Sequence, residues 1–147
     1  MPTIADLEQH FLRLSSAEEI DIDWCERPSK ALAVSGEFDF IRAPRIKSLI
    51  SYAVAMHELG HIKGRNQYSK NQIVRERWAW EWARRNAMLW TPRMERYAVA
   101  SVRWYQRRWS QQRRRTSTTF APTHRASSTS IADMSIAASS GLRKRRR

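Results

Sequence analysis

The sequence predicts an α+β protein: a short helix, a small antiparallel sheet of two or three strands packed on a longer helix, two further helices and a disordered tail. Three observations carry this. Apolar residues recur at helical spacing over residues 3–14, 45–63, 73–89 and 92–112. Between Ile20 and Phe40 the spacing shortens to alternation. From Arg113 the periodicity stops, and twelve of the last 35 residues are Ser or Thr.

In the first helix Ile4, Leu7, Phe11 and Leu14 share a face, with Thr3 as N-cap and His10 on the polar side. Ile20, Ile22 and Trp24 then alternate with Asp21 and Asp23, the pattern of a half-buried strand. Segments 31–34 and 37–41 flank Ser35-Gly36, a hairpin turn, which would set Phe38 and Phe40 on one face. The second helix starts after Ala43-Pro44 and shows a broad apolar face: Ile46, Leu49, Ile50, Ala53, Val54, Met56. Gly64 is its natural stop. A polar loop over 64–72 leads to a third helix rich in Trp, Ala and Arg. Thr91 as N-cap and Pro92 at the first helical position open the fourth, where Tyr105 and Trp109 join an apolar stripe opposite Arg103, Arg107 and Arg108.

These elements make one domain over residues 1–112 and a basic tail over 113–147. The tail is too poor in apolar residues to fold alone. The net charge of +13 is a gradient: residues 1–44 carry four Lys/Arg against nine Asp/Glu, residues 45–112 fourteen against four, and the tail nine against one. The tail reads as a solvated segment with no dedicated role, and its ending Arg143-Lys-Arg-Arg-Arg147 makes non-specific contact with nucleic acid the alternative. The single cysteine, Cys25, rules out an intrachain disulfide and a cysteine-rich metal site, and reads as a small half-buried hydrophobe. No run of eighteen apolar residues and no signal-peptide pattern occurs, so the expectation is a cytoplasmic protein without a membrane span.

The chemistry concentrates in His57-Glu58-Leu59-Gly60-His61. This is H-E-x-x-H on a helix: residues four apart lie on one face, so two imidazoles can reach one metal ion. Glu58, one step round, can act as general base towards a water. A zinc site of this kind wants a third protein ligand. The position six after His61 is Gln67, so the third histidine of the metzincin pattern is missing. His10 and His124 are badly placed for the role. Glu76, Glu81 and Glu95 on the following helices remain. Glu76 shares a face with Ala79, Trp80, Ala83 and Ala87, whose alanines would let the two helices approach. Glu81 points about 140° away, where Arg77 or Arg85 could pair with it, and Glu95 lies beyond a helix break. Glu76 is therefore the expected third ligand of Zn²⁺.

With Glu76-Arg-Trp-Ala79-Trp-Glu-Trp-Ala83 following it, the motif resembles the ImmA/IrrE-type zinc metallopeptidases, gluzincin-like proteins whose third ligand lies in an E-x-x-A-x-x-x-A segment. The resemblance covers about residues 20–90. It implies a cytoplasmic metallopeptidase that hydrolyses a protein or peptide substrate, often a DNA-bound repressor. The residue after Ala79, often Asn or Asp in such proteins, is here Trp80, which cannot accept a hydrogen bond from a ligand histidine. The donor for the reaction's oxyanion is open among Arg42, Arg65, Tyr68 and Tyr97. Two other readings compete: a zinc-binding regulatory module without activity, and a nucleic-acid-binding protein using the Arg-rich fourth helix and tail. Against the latter, Tyr105 and Trp109 fall on the predicted apolar face.

Overall fold

The computed structural model describes residues 1–118. It is α+β, with four α-helices and a three-stranded sheet in these residues. Helix α1 (Ile4–Ser16) starts at a capping box in which Thr3 and Asp6 satisfy each other's backbone N–H, a device that contributes about 1 kcal/mol. Leu7 and Phe11 bury its apolar side.

Strands β1 (Asp21–Cys25), β2 (Leu32–Val34) and β3 (Phe40–Pro44) follow. Their spatial order is β1-β3-β2: β3 is antiparallel to β2 but parallel to β1. The sheet is therefore mixed, not antiparallel as expected. Two chain reversals separate β1 from β3, so β3 runs in the direction of β1. By settling between its two predecessors it pairs with both, and alternation of apolar residues cannot say where a strand inserts. The expected hairpin is present, but β3 begins only at Phe40. Phe38 falls in the turn, 77% exposed, instead of sharing a face with Phe40.

Helix α2 (Leu49–Lys63) begins later than expected. Residues 45–48 lead into it, and Ser48 caps it through a reciprocal pair with Ser51. From Ser51 to Gly60 every residue is buried, so it is the central rod of the molecule and not a one-faced surface helix. Helix α1, strand β3, α3 (Gln72–Asn86) and α4 (Pro92–Thr118) surround it. Tyr52 ties three of these together. Its hydroxyl pairs with His10 Nδ1 on α1 at 2.8 Å and accepts the Met88 N–H between α3 and α4 at 2.9 Å.

Helix α4 is longer than expected and runs through Arg113 to Thr118, across the boundary set for the tail. The remainder of the predicted disordered segment, with His124 and the terminal basic run, lies outside the described residues. Met94 and Ala98 are buried, whereas Trp104 and Trp109 are 47% and 41% exposed. The buried side of α4 continues through Val102 to Tyr105, which lines a cleft, whereas Trp109 does not extend the core as its spacing suggested. No described helix is long and apolar enough to cross a membrane.

Candidate metal centre

Two helices build the site, and one glycine sets their distance. A Cβ on Gly60 would lie 2.3 Å from the Ala79 carbonyl oxygen and 2.9 Å from its Cα, so α2 and α3 touch backbone to backbone there. Ala79 and Ala83, both fully buried, keep the α3 side of the contact thin. His57 and His61 flank Gly60 on the face of α2 turned towards α3. Glu76, one turn before Ala79, meets them. The close crossing is what brings these three side chains within reach of each other.

His57 Nε2 and His61 Nε2 are 3.0 Å apart, Glu76 Oε2 is 3.2 Å from the first, and Glu76 Oε1 is 3.6 Å from the second. His57 and Glu76 are buried and His61 nearly so. Glu76 Oε2 accepts no hydrogen bond at all, despite its approach to His57. A buried carboxylate oxygen without a partner is costly unless a further group belongs between the ligands. The group His57, His61 and Glu76 could hold a metal ion.

The other acidic candidates are engaged elsewhere. Glu81 pairs with Arg84 at 2.9 Å and Arg85 at 2.8 Å. Glu95 is gripped by both ends of the Arg84 guanidinium and by the Trp90 indole N–H. His10 is bound to Tyr52, and Cys25 is half-buried with its thiol donating to the Arg27 carbonyl.

The electrostatics follow from burial and these contacts. Burial raises the Glu76 carboxyl, but the His57 and His61 imidazoles 3.2 and 3.6 Å away outweigh it and hold the pKa at about 2. His57 is pulled down to about 4, chiefly by burial. Burial also acts to lower His61, yet Glu76, Gln67 and Glu58 together leave its pKa raised. Glu58 is pushed up to about 7, first by burial, with His61 opposing and Glu76 adding to the rise. An ionised Glu76 beside a neutral His57 is the protonation pattern that a cation needs, and its binding at His61 would displace a proton.

The two histidines are supported differently. His61 Nδ1 faces Gln67 Oε1 at 3.0 Å. The Gln67 amide nitrogen donates to the Arg65 and Arg75 carbonyls, which turns its oxygen towards the ring. His61 therefore donates from Nδ1 and presents Nε2 to the site. Gln67 entered the sequence argument only as a missing histidine. Its signal, the polar loop after α2, is visible only once the loop curls back, with Asn66 in the left-handed region at φ 57°. His57 has no such partner: Nδ1 is buried and unpaired, and the ring lies flat on Trp80, 4.0 Å between centroids. The Trp80 indole nitrogen is also unpaired. Trp80 thus offers His57 a ring face and no hydrogen bond.

These residues line one side of a cleft of about 370 Å³, with Glu58 beside them and Ala31, Leu32, Ala33 and Ser35 of the β2 region opposite. Of the side chains named for the oxyanion, Tyr68 is 97% exposed, Tyr97 packs its ring near Trp80, and Arg42 pairs with Asp23 across β1 and β3. Arg65 contributes its carbonyl to Gln67 and does not line the cleft. Arg75 and Tyr105 line it instead. The Tyr105 phenol is pushed up to about 12 by burial and by the charges of Glu76 and Glu58, so it stays protonated as a hydrogen-bond donor. Tyr105 comes from α4, 47 residues after Glu58 in sequence, and no local pattern marks it. No family model, curated protein or solved structure matches the chain.

Proposed function

We propose that this chain is a zinc-dependent metallopeptidase of the ImmA/IrrE kind, in which His57, His61 and Glu76 hold Zn²⁺ and Glu58 is the general base. One observation carries the reading: two imidazole nitrogens and a carboxylate, buried at a helix crossing, converge to 3.0–3.6 Å. Ligand atoms about 2.1 Å from a tetrahedral zinc ion lie about 3.4 Å from one another. The donor set, two neutral nitrogens and one anionic oxygen, suits zinc better than the hard cations, which prefer oxygen alone. Zinc in such a site supplies Lewis acidity, lowering the pKa of water to about 7 and polarising a carbonyl.

The chain's own residues supply the rest. Glu58, with a pKa of about 7 in the metal-free site, stands near the pH at which a carboxylate can take a proton from water and return it to a leaving amine. Tyr105 and Arg75 face the same cleft and can donate to the oxygen that gains charge as the carbonyl is attacked. Strand β2 is a sheet edge beside that cleft, able to align an extended peptide by backbone pairing. The substrate class is accordingly a peptide segment of another protein. The resemblance to the ImmA/IrrE group makes a DNA-binding repressor the first candidate.

Purified protein should contain about one zinc per chain, His57→Ala and Glu76→Gln should lose it, and Glu58→Gln should keep it while abolishing cleavage. Metal-free wild-type protein that takes up no zinc would sink the proposal. The second reading, a zinc-bound module without activity, draws on the unpaired His57 Nδ1 against Trp80. Zinc binding without hydrolysis of co-expressed partners or peptide libraries would favour it.

A further inference from the structure

The second half of α4 has a composition that neither the core nor the metal centre uses. Residues 103–114 (Arg-Trp-Tyr-Gln-Arg-Arg-Trp-Ser-Gln-Gln-Arg-Arg) include no aliphatic and no acidic side chain, and no Asp or Glu occurs between Glu95 and Asp133. At 100° per residue, Arg103, Arg107 and Arg114 fall within about 40° of one another along the helix, and Arg103 and Arg107 are about 6 Å apart along its axis. Trp104 borders this stripe. Its ring is 47% exposed, and the Arg108 guanidinium sits 5.1 Å over it. Tyr105, whose ring meets Trp104 edge-on at 4.9 Å between centroids, lines the cleft. Arg103 and Arg107 have no carboxylate partner among the described residues; the only acidic residue of α4 in the described chain, Glu95, is held by Arg84 and Trp90.

A solvated basic helix would gain nothing by exposing an indole. An aromatic plane framed by guanidinium groups is instead the chemistry that takes a base by stacking and its phosphates by charge. Anionic membranes also attract Arg and Trp, but insertion needs a continuous apolar face. Beyond Val102 the helix has none. We propose that the outward face of α4, where Arg108 lies over the exposed Trp104 and Arg103 and Arg107 form the stripe beside it, binds single-stranded nucleic acid. The surface is built on the helix and not on the terminal basic run, the two elements between which sequence alone did not choose.

The test is fluorescence anisotropy of a labelled twelve-residue oligothymidylate with the full chain, over a range of NaCl concentrations. Three variants are compared: Arg103→Gln/Arg107→Gln, Trp104→Ala, and a full-length chain with the Arg and Lys residues of 143–147 replaced by glutamine. Thermal unfolding midpoints establish that each is folded. Losing two phosphate contacts should reduce the slope of log affinity against log salt by about 1.4. Losing one stacked base should weaken binding about 5- to 150-fold with the slope kept. If the two helix variants bind like wild type while the terminal substitutions abolish binding, the tail is the binding element and the proposal fails. Binding to vesicles of phosphatidylserine and phosphatidylcholine with none to the oligonucleotide overturns it equally. So does wild-type protein that binds neither.

Discussion

Replacing Glu58 by glutamine should stabilise the metal-free chain at pH 8 and leave it unchanged at pH 4. The carboxyl is 7% exposed, and burial, reinforced by Glu76 and opposed by His61, raises its pKa from 4.5 to about 7. A folded-state pKa above the unfolded value means that the folded chain holds this proton more tightly. The corresponding stability is fully present below about pH 4.5 and is lost as pH rises through about 7. At about 1.36 kcal/mol per pH unit, the ionised carboxylate costs the folded state about 3 kcal/mol above pH 7. Glutamine has nearly the same shape and no charge to desolvate. The stability difference between Glu58→Gln and wild type should therefore grow from about zero at pH 4 to about 3 kcal/mol at pH 8. Urea unfolding followed by tryptophan fluorescence, in EDTA, measures it. With one equivalent of zinc the neighbouring dication favours the ionised form, and the advantage of glutamine should shrink. A glutamine variant less stable than wild type at pH 8, or a difference that does not vary with pH, would refute the burial argument for Glu58.

Gly60→Ala should force α2 and α3 apart at Ala79, lowering stability by about 1–3 kcal/mol and reducing zinc affinity, both accessible from one unfolding series with and without metal. Gln67→Ala removes the hydrogen bond to Nδ1 that orients His61, and should weaken zinc binding about 10- to 100-fold by competition with a chelating dye while the fold is retained. Tyr105→Phe should retain zinc and lower kcat about 100-fold on any cleaved peptide if the phenol stabilises the oxyanion; an unchanged kcat rejects that role. Tyr52→Phe leaves the Met88 N–H without its acceptor and should cost about 1–3 kcal/mol in urea unfolding without affecting zinc stoichiometry.

The local elements were legible because their signals are local. The Thr3 cap, the alternation around Ile22, the proline after Thr91 and the i, i+4 spacing of His57 and His61 are each decided within a few residues. Glu76 was also readable, since a helix surface has a fixed period and Ala79 and Ala83 mark the side that can approach another helix. What the sequence could not hold was anything depending on where one element lands against another. Alternating residues are the same in a strand at the edge and one in the middle, so the insertion of β3 between β1 and β2 could not be read. The spacing of Tyr105 and Trp109 does not say that the first enters the cleft while the second is left 41% exposed.

The candidate metal centre divides along the same line. The sequence by itself singled out His57, His61 and Glu76, the group that could hold a metal ion, and Glu58 beside them, because residue type and helical period are properties of short segments. Only the tertiary structure decided how those donors are held. It curls the 64–72 loop so that Gln67 fixes His61, lays His57 on Trp80 with no hydrogen bond to Nδ1, and brings Tyr105 into the cleft from another helix. The approach of α2 to α3 rests on a backbone contact between Gly60 and Ala79, 19 residues apart. A chain reveals such a contact only when it has closed on itself, because side-chain support comes through space and not along the sequence.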